Sequence, residues 1–291
     1  VCLDNFNSIK YSEKIKQFNI KPFENDIKIY NEDITNPEGL EKVFKENKIE
    51  KVCHLAAMAG IGLSIKEPFL YENVNVRGTL NLLELSVKNN IENFVFASSS
   101  SVYGGNNKIP FSETDNVDKP LSVYAATKKS NELFAYTYNN IYKLPCTGLR
   151  FFTVYGPSGR IDMAPFIFTN KIFKGEKMIR YGNGTTKRDY TYIDDIVEGI
   201  TSALDKNLNY EIINLGNNNP VELNYFISVI EKKLNKKALI EEKPVENWDA
   251  KITYADITKA KKLLNYNPKT SIEEGMGKYI DWYIDNREIY D

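Results

Sequence analysis

Short apolar runs alternate with longer amphipathic stretches through the first half of the chain, and this alternation limits the possible folds more than any other feature. Val1–Leu3, Ile27–Tyr30, Val52–Leu55, Phe94–Ala97 and Cys146–Phe152 are rich in Val, Phe and Ile and end at polar or small residues, as strands do. Helical patterns lie between them. Asn36-Pro37 supplies an N-cap and a proline at the first helical position, which predicts a helix to about Lys45. A second, after Pro68, carries Leu80, Leu82, Leu83, Leu85 and Val87, and a third runs from Tyr124 to about Tyr142. Strands that read as buried on both faces, separated by helices, predict an α/β fold with a doubly wound parallel sheet. Crossovers in such a sheet are right-handed, and ligands sit at the carboxyl ends of its strands.

After Phe152 the pattern changes. Gly156–Arg188 carries Pro and Gly punctuation and little regular alternation. Tyr190–Ala203 reads as a short strand and a helix, Ile212–Leu215 as a strand, and 221–291 as three helical patterns. The expected division is a larger domain, 1–155 with 188–216 returning to it, and a smaller lobe made of 156–187 and 217–291. At 291 residues, 42% hydrophobic and 26% charged, the chain has the make-up of a globular protein with a sizeable core. The 38 basic residues nearly cancel the 39 acidic ones, which gives no long-range attraction to nucleic acid or an anionic membrane. No apolar run reaches the length of a membrane span. The lysine-rich stretches around Lys232 and Lys261 read as solvated helix faces. Three cysteines, Cys2, Cys53 and Cys146, are too few and too odd for a disulfide framework, and predict a reducing, cytoplasmic setting. A single histidine, His54, argues against a Ser-His-Asp hydrolase or a multi-histidine zinc site, so no metal is expected.

Catalysis must then use other acids and bases. Tyr124 and Lys128 are four apart in a predicted helix and so share a face. A phenol with a pKa of about 10 is a poor base at neutral pH. An ammonium one turn away favours the phenolate, and a shift of about three units corresponds to roughly 4 kcal/mol. Such a pair alone also arises by chance. About 25 residues earlier, however, the apolar run Phe94–Ala97 leads into Ser98-Ser-Ser-Ser-Val-Tyr-Gly104. Hydroxyls at the carboxyl end of a buried strand lie where a parallel sheet places its site. The plain alternative for a serine run is a flexible loop.

At these residues the chain resembles the extended short-chain dehydrogenase/reductase family, in particular its nucleotide-sugar epimerases. The pieces follow in order along nearly the whole chain: Leu3-Asp-Asn-Phe6, Asp33-Ile34, His54-Leu-Ala-Ala57, Asn75-Val-Arg-Gly-Thr79, Ser98–Gly104, Tyr124–Lys128, Leu149–Pro157, Arg188–Asp195 and Tyr254-Ala-Asp256. The resemblance implies a Rossmann-type domain binding NAD and a smaller lobe binding a nucleotide sugar. It implies that Asp4, with Asn5, meets the adenosine ribose, that Asp33 and Ile34 flank the adenine, and that Leu55, Ala56, Ala57 and Asn75 line the middle of the cofactor. Ser99 matches the catalytic hydroxyl and Tyr124 the base. Lys128 tunes that base and holds the nicotinamide ribose. His54 is expected to be structural.

The loop after Ser99 separates relatives. Sugar 4,6-dehydratases carry Asp-Glu there and nucleotide-sugar decarboxylases a Glu just before Val-Tyr-Gly, whereas this chain has Ser100 and Ser101, which support oxidation at carbon 4 and nothing further. The stretch Phe152–Ala164 resembles that of UDP-glucuronate 4-epimerases, with Ile161 where proline is usual. Ser100, Ser101 and Thr153 would offer hydroxyls to a sugar carboxylate, with Arg160 adding charge, unless Arg160 pairs with Asp162. Arg188 matches a pyrophosphate-binding arginine, the alternative being a pair with Asp189. Asp249 matches a ribose-binding acid. The implied activity is NAD-dependent 4-epimerisation of UDP-glucuronate to UDP-galacturonate through a 4-keto sugar. Epimerisation of UDP-glucose or UDP-N-acetylglucosamine, or non-catalytic binding of a sugar nucleotide, are the alternatives. A homodimer formed through the Leu80–Val87 and Tyr124–Tyr142 helices is also implied. Two departures stand out: Gly62 replaces a usual arginine, and the Gly-x-x-Gly-x-x-Gly strand–turn–helix is not in the sequence. The expectation is that this element precedes Val1 in the natural protein.

Overall fold

Along the strand Asn93–Ser99, Phe94 and Phe96 face one apolar cluster and Val95 faces another. This two-sided burial organises the molecule, seen in a computed structural model that describes residues 1–10, 12–244 and 250–290. The first half runs β1 (Cys2–Asp4), α1 (Glu13–Ile20), β2 (Ile29–Asn31), α2 (Pro37–Glu46), β3 (Lys51–His54), α3 (Ile61–Lys66), α4 (Pro68–Tyr71), a π-helical turn (Glu72–Arg77), α5 (Gly78–Lys88), β4 (Asn93–Ser99), α6 (Val123–Tyr142) and β5 (Cys146–Phe151). The second half runs β6 (Thr153–Tyr155), α7 (Ala164–Lys174), β7 (Lys177–Tyr181), β8 (Lys187–Tyr192), α8 (Ile193–Asp205), β9 (Tyr210–Leu215), β10 (Pro220–Glu222), α9 (Leu223–Leu234), β11 (Leu239–Lys243), α10 (Thr258–Leu264) and α11 (Ile272–Asn286).

The central sheet has the order β3-β4-β5-β9, all parallel, and β1 and β2 form a separate parallel pair. Leu40, Leu83, Ala135 and neighbours from α2, α5 and α6 cover one face of the central sheet, while Ile196, Ala203, Ala260 and Leu264 from α8 and α10 cover the other. The fold is thus the expected α/β one with helices on both faces. A third core gathers Phe168, Ile172, Met178, Phe226, Ile230, Met276 and Ile280 from α7, β7, α9 and α11. It packs against the small sheet β10-β8-β6, in which β10 is antiparallel to β8.

One expectation needs correction. Gly156–Arg188 is more regular than its punctuation suggests, since it holds α7 and β7. Pro165 lies in the first turn of α7, where its missing N–H costs nothing, and Gly175, at φ 68°, ends the helix in the left-handed conformation. These residues mark the ends of an element. On α5, Leu82, Leu83 and Leu85 are buried in the protein's own core, Leu80 and Val87 are half-buried, and Glu84 and Lys88 are exposed.

Candidate active site

The carboxyl ends of β1, β3, β4 and β5 open on one cleft of about 1520 Å³, which also meets β6, β8 and the loop before α7. This exceeds the roughly 300–1,000 Å³ usual for a single small ligand. Asp4, Leu55, Ala56 and Ala57, Ser99–Ser101, Tyr124, Lys128, Thr153, Arg160 and Arg188 all line it.

Its floor is the junction of β4 and α6. β4 ends at Ser99, which caps a short 3-10 turn (Ser100–Tyr103) by accepting the Ser101 N–H at 3.1 Å. The Ser99 hydroxyl lies 3.1 Å from that of Ser101. Ser122 starts α6 by accepting the Ala125 N–H at 3.1 Å, so Tyr124 and Lys128 come one turn apart on the helix face turned to β4. Lys128 is buried and donates to the Ala97 carbonyl at 2.8 Å; its Nζ is 5.9 Å from the centre of the Tyr124 ring. Burial lowers its pKa to about 8. Burial also pushes the Tyr124 phenol up from 10, opposed by a hydrogen bond with Ser99 and by the charge of Arg160. Ser99 and Arg160 thus add to the pull toward the phenolate expected of Lys128, whose ammonium lies 5.9 Å from the ring centre.

Arg160 meets Asp162 in a two-point contact, Nε to Oδ1 at 2.9 Å and Nη2 to Oδ2 at 2.6 Å, and Lys10 reaches the same Oδ2 at 2.9 Å. The cluster lies over Gly60, whose φ of 100° and closeness to Lys10 Nζ (2.5 Å from an added Cβ) exclude a side chain. An added Cβ at Gly62 would meet nothing within 4 Å. Arg188 donates to its neighbour's carbonyl at 2.9 Å and faces the cleft, while the Asp189 carboxylate accepts the N–H groups of Asn217, Asn218 and Ala255 at 2.7, 3.1 and 2.9 Å. Burial raises Asp189 to about 6.

On the β1 side, Asp4 Oδ1 accepts the Phe6 N–H at 2.7 Å and the Lys16 ammonium at 3.0 Å. Other expected residues stand back from the cleft. Asn5 donates to Asp33 at 2.6 Å, and the second Asp33 oxygen takes the Thr35 N–H and hydroxyl. Burial works against ionisation of Asp33, but these hydrogen bonds hold its pKa below the usual value. Ile34 is a core residue packed on Gly78. Asn75 clasps Met58 through both backbone groups (2.8 and 2.9 Å) and Thr127 at 3.0 Å, so it fastens the loop after β3 to α6. His54 Nε2 sits 2.9 Å from Thr79 Oγ1, and burial together with the Lys128 charge lowers its pKa to about 3. Asp249 lies outside the described residues.

Sequence reasoning anticipated the pairing of Arg160 with Asp162 but missed Tyr71 and Lys10. Tyr71 is fully buried, meets Tyr124 edge-on with ring centres 6.3 Å apart, and donates to the carbonyls of Ala59 and Gly60 at 2.7 and 2.9 Å. Burial raises its pKa to about 12.

Comparison with known proteins agrees with this geometry. The family described as GDP-mannose 4,6 dehydratase matches residues 1–279. The UDP-glucuronate 4-epimerase of Thermodesulfobacterium geofontis is 45% identical over 291 residues, covering 99% of this chain and 89% of that one. The crystal structure of UDP-glucuronic acid 4-epimerase from Bacillus cereus, in complex with UDP-glucuronic acid and NAD, has a TM-score of 0.91 at 34% identity and covers 97% of this chain and 90% of that one. That of UDP-glucose 4-epimerase from Thermotoga maritima, with UDP-glucose, has a TM-score of 0.89 at 30% identity, covering 98% and 90%.

Proposed function

This chain belongs to the extended short-chain dehydrogenase/reductase family, in the group described as GDP-mannose 4,6 dehydratase, and we propose that it is the NAD-dependent 4-epimerase of UDP-glucuronate within that family. The NAD dependence and the action on carbon 4 of a UDP-sugar are common to its relatives. The choice of sugar, the residue roles, the domain division at 1–155 with 188–216, and the assembly are our own reading.

The cleft suits a dinucleotide and a nucleotide sugar together. It has an acid at the β1 end in Asp4, a smooth wall in Leu55–Ala57, and a lysine and tyrosine where β4 ends. Bound NAD supplies the hydride acceptor at the sugar's carbon 4. The protein's part is the proton: the Tyr124 oxygen takes it from the 4-hydroxyl as the carbonyl forms, with Ser99 holding the sugar oxygen, and returns it after the 4-keto sugar has turned its other face. Lys128 supplies positive charge beneath that exchange. Ser100 and Ser101, lacking an ionisable acid, add no elimination step.

The acid-sugar reading draws on one observation: Ser99–Ser101, Thr153 and Arg160 all line the same cleft. A second reading, a neutral UDP-hexose, draws support from the contact of Arg160 with Asp162, which already balances its charge. The complete, NAD-loaded protein assayed on UDP-glucuronate, UDP-glucose and UDP-N-acetylglucosamine separates the two. Charge-assisted hydrogen bonds contribute about 1.5–3 kcal/mol each, so UDP-glucuronate should lead by at least about tenfold in kcat/KM. Equal rates would favour the neutral hexose.

The assembly we propose is a homodimer paired through the helices that carry Leu80–Val87 and Tyr124–Tyr142, in a reducing cytoplasm where its three thiols stay free, making an acidic sugar nucleotide for polysaccharide biosynthesis.

A further inference from the structure

Behind the cleft floor lies a second polar cluster that the proton exchange does not use. Glu132 and Arg150 are 1% and 2% exposed and meet in a two-point ion pair, both contacts at 2.8 Å. Ser98, also 2% exposed, donates its hydroxyl to the same Glu132 oxygen at 2.7 Å. Lys129 stands 3.6 Å from the other oxygen. A buried ion pair is weak evidence for stability, because removing two charges from water offsets much of their attraction and an apolar pair of the same volume often does as well. Its place in the fold offers a different account.

The residues around it carry the reaction. Ser98 is paired with Arg150 in the β4–β5 register and lies between Ala97 and Ser99. The Ala97 carbonyl holds Lys128, Ser98 holds Glu132, and the Ser99 hydroxyl lies close enough to Tyr124 to favour its phenolate. Three consecutive strand residues thus grip three successive turns of α6. The contact at Glu132 differs from the other two because Arg150 anchors it to the next strand. A guanidinium–carboxylate fork fixes direction as well as distance, which a hydroxyl or an apolar contact does not. Arg150 also lies 4.9 Å from the centre of the Tyr103 ring, in the 3-10 turn that carries Ser100 and Ser101, and the Tyr103 hydroxyl donates to Asn214 at 2.7 Å.

We propose that Glu132 and Arg150, with Ser98, are positioning residues that set α6 against β4 and so hold Tyr124 on Ser99. This rests on the reading of Tyr124 as the proton carrier. A misplacement of about 1 Å in a reacting group can cost on the order of 100-fold. Loosening the Tyr124–Ser99 contact also removes a bond that lowers the phenol's pKa, so the rise of kcat with pH should move to higher pH. A role in stability alone would change how much enzyme is folded and leave the pH profile of the folded fraction in place.

The test replaces three polar groups at once in the complete, NAD-loaded enzyme, with Ser98→Ala, Glu132→Leu and Arg150→Met, so that neither member of the buried fork is left without the other, while Lys129, 22% exposed, keeps its contact with solvent. Wild type and Tyr124→Phe are run beside it. The expected result is a folded protein with unchanged NAD content, kcat lowered about 10- to 100-fold, KM within about threefold, and the kcat profile displaced to higher pH. Tyr124→Phe should lose at least about 100-fold. If it does and the triple variant keeps both its kcat and its pH profile, the positioning role is wrong while the reading of Tyr124 stands. If Tyr124→Phe is fully active, both fall. Should the triple variant fail to fold, Arg150→Lys decides: it keeps the charge but loses the fork. A kcat reduced about fivefold or more with the same pH displacement supports the proposal, and an unchanged kcat overturns it.

Discussion

Burial drives Tyr124 and Lys128 apart on the pH scale, the phenol up from 10 and the ammonium down from 10.5 to about 8. Of the groups opposing the rise of Tyr124, Arg160 is the one whose charge is itself controlled, since Asp162 grips it at two points. The sign of each change follows. Arg160→Met removes a positive charge that favours the phenolate, so the acidic limb of kcat against pH should move to higher pH. Asp162→Asn leaves Arg160 its charge but takes away the counter-charge, so the limb should move to lower pH. Steady-state kcat measured from pH 5 to 10 for both variants checks this pair; displacement in the same direction would exclude electrostatic control of Tyr124 by the cluster. Ser99, Tyr124 and Lys128 were legible in the sequence because the first ends an apolar run and the others are one helical turn apart. Lys10 was not, because it meets Asp162 across 152 positions, and no local pattern marks such a contact. Asn75 and Ile34 carry structural contacts that the motif alone did not announce, with Met58 and with the core.

Asp189 does for a group of loops what a cap does for a helix. Its carboxylate gathers the N–H groups of Asn217, Asn218 and Ala255, and so joins the segment after β9 and the segment before α10 to β8, the strand that holds Arg188 in the cleft. Its folded-state pKa of about 6 lies above its ordinary 3.8. A carboxyl raised in this way contributes most below its unfolded value, and that contribution is lost as pH rises through 6. Asp189→Asn should abolish this slope in calorimetric melts between pH 4 and 6. At pH 7 it should also destabilise by about 1–3 kcal/mol, because an amide NH2 would face backbone donors. A melting temperature with unaltered pH dependence would count against it. At this scale the strands and long helices of the first half were readable, since each is continuous in sequence and carries one period. α7 and β7 were not, because Pro165 and Gly175 read as loop residues until their positions at the two ends of a helix are known. The π-helical turn Glu72–Arg77, which aims Asn75 at Met58, shares its apolar spacing with an ordinary helix and so leaves no separate signal.

Across the whole molecule, α6 is the element under most demand. Its inner face, Ala125, Thr127, Lys128, Asn131, Glu132, Ala135 and Asn139, is buried. On the outer side Leu133 and Tyr136, one turn apart, are 57% and 55% exposed, Ile141 farther along is 58% exposed, and Phe69 on α4 is 85% exposed. Single exposed apolar residues are ordinary, but several along one twenty-residue helix, with another large exposed ring on α4, are the kind of surface that pairs with a copy of itself. A two-fold contact here would bury these residues against their equals without touching the cleft, which opens at the strand ends. Leu133→Glu tests the argument because the position is exposed and its replacement should alter monomer stability by no more than about 0.5 kcal/mol. It would, however, place two like charges near the two-fold axis in a region emptied of water. The wild-type protein should scatter light as a dimer at micromolar concentration and the variant as a monomer, with turnover per chain retained because the grip of β4 on the inner face is unchanged. A wild-type monomer, or a variant that remains dimeric, would mean that α6 does not form the interface.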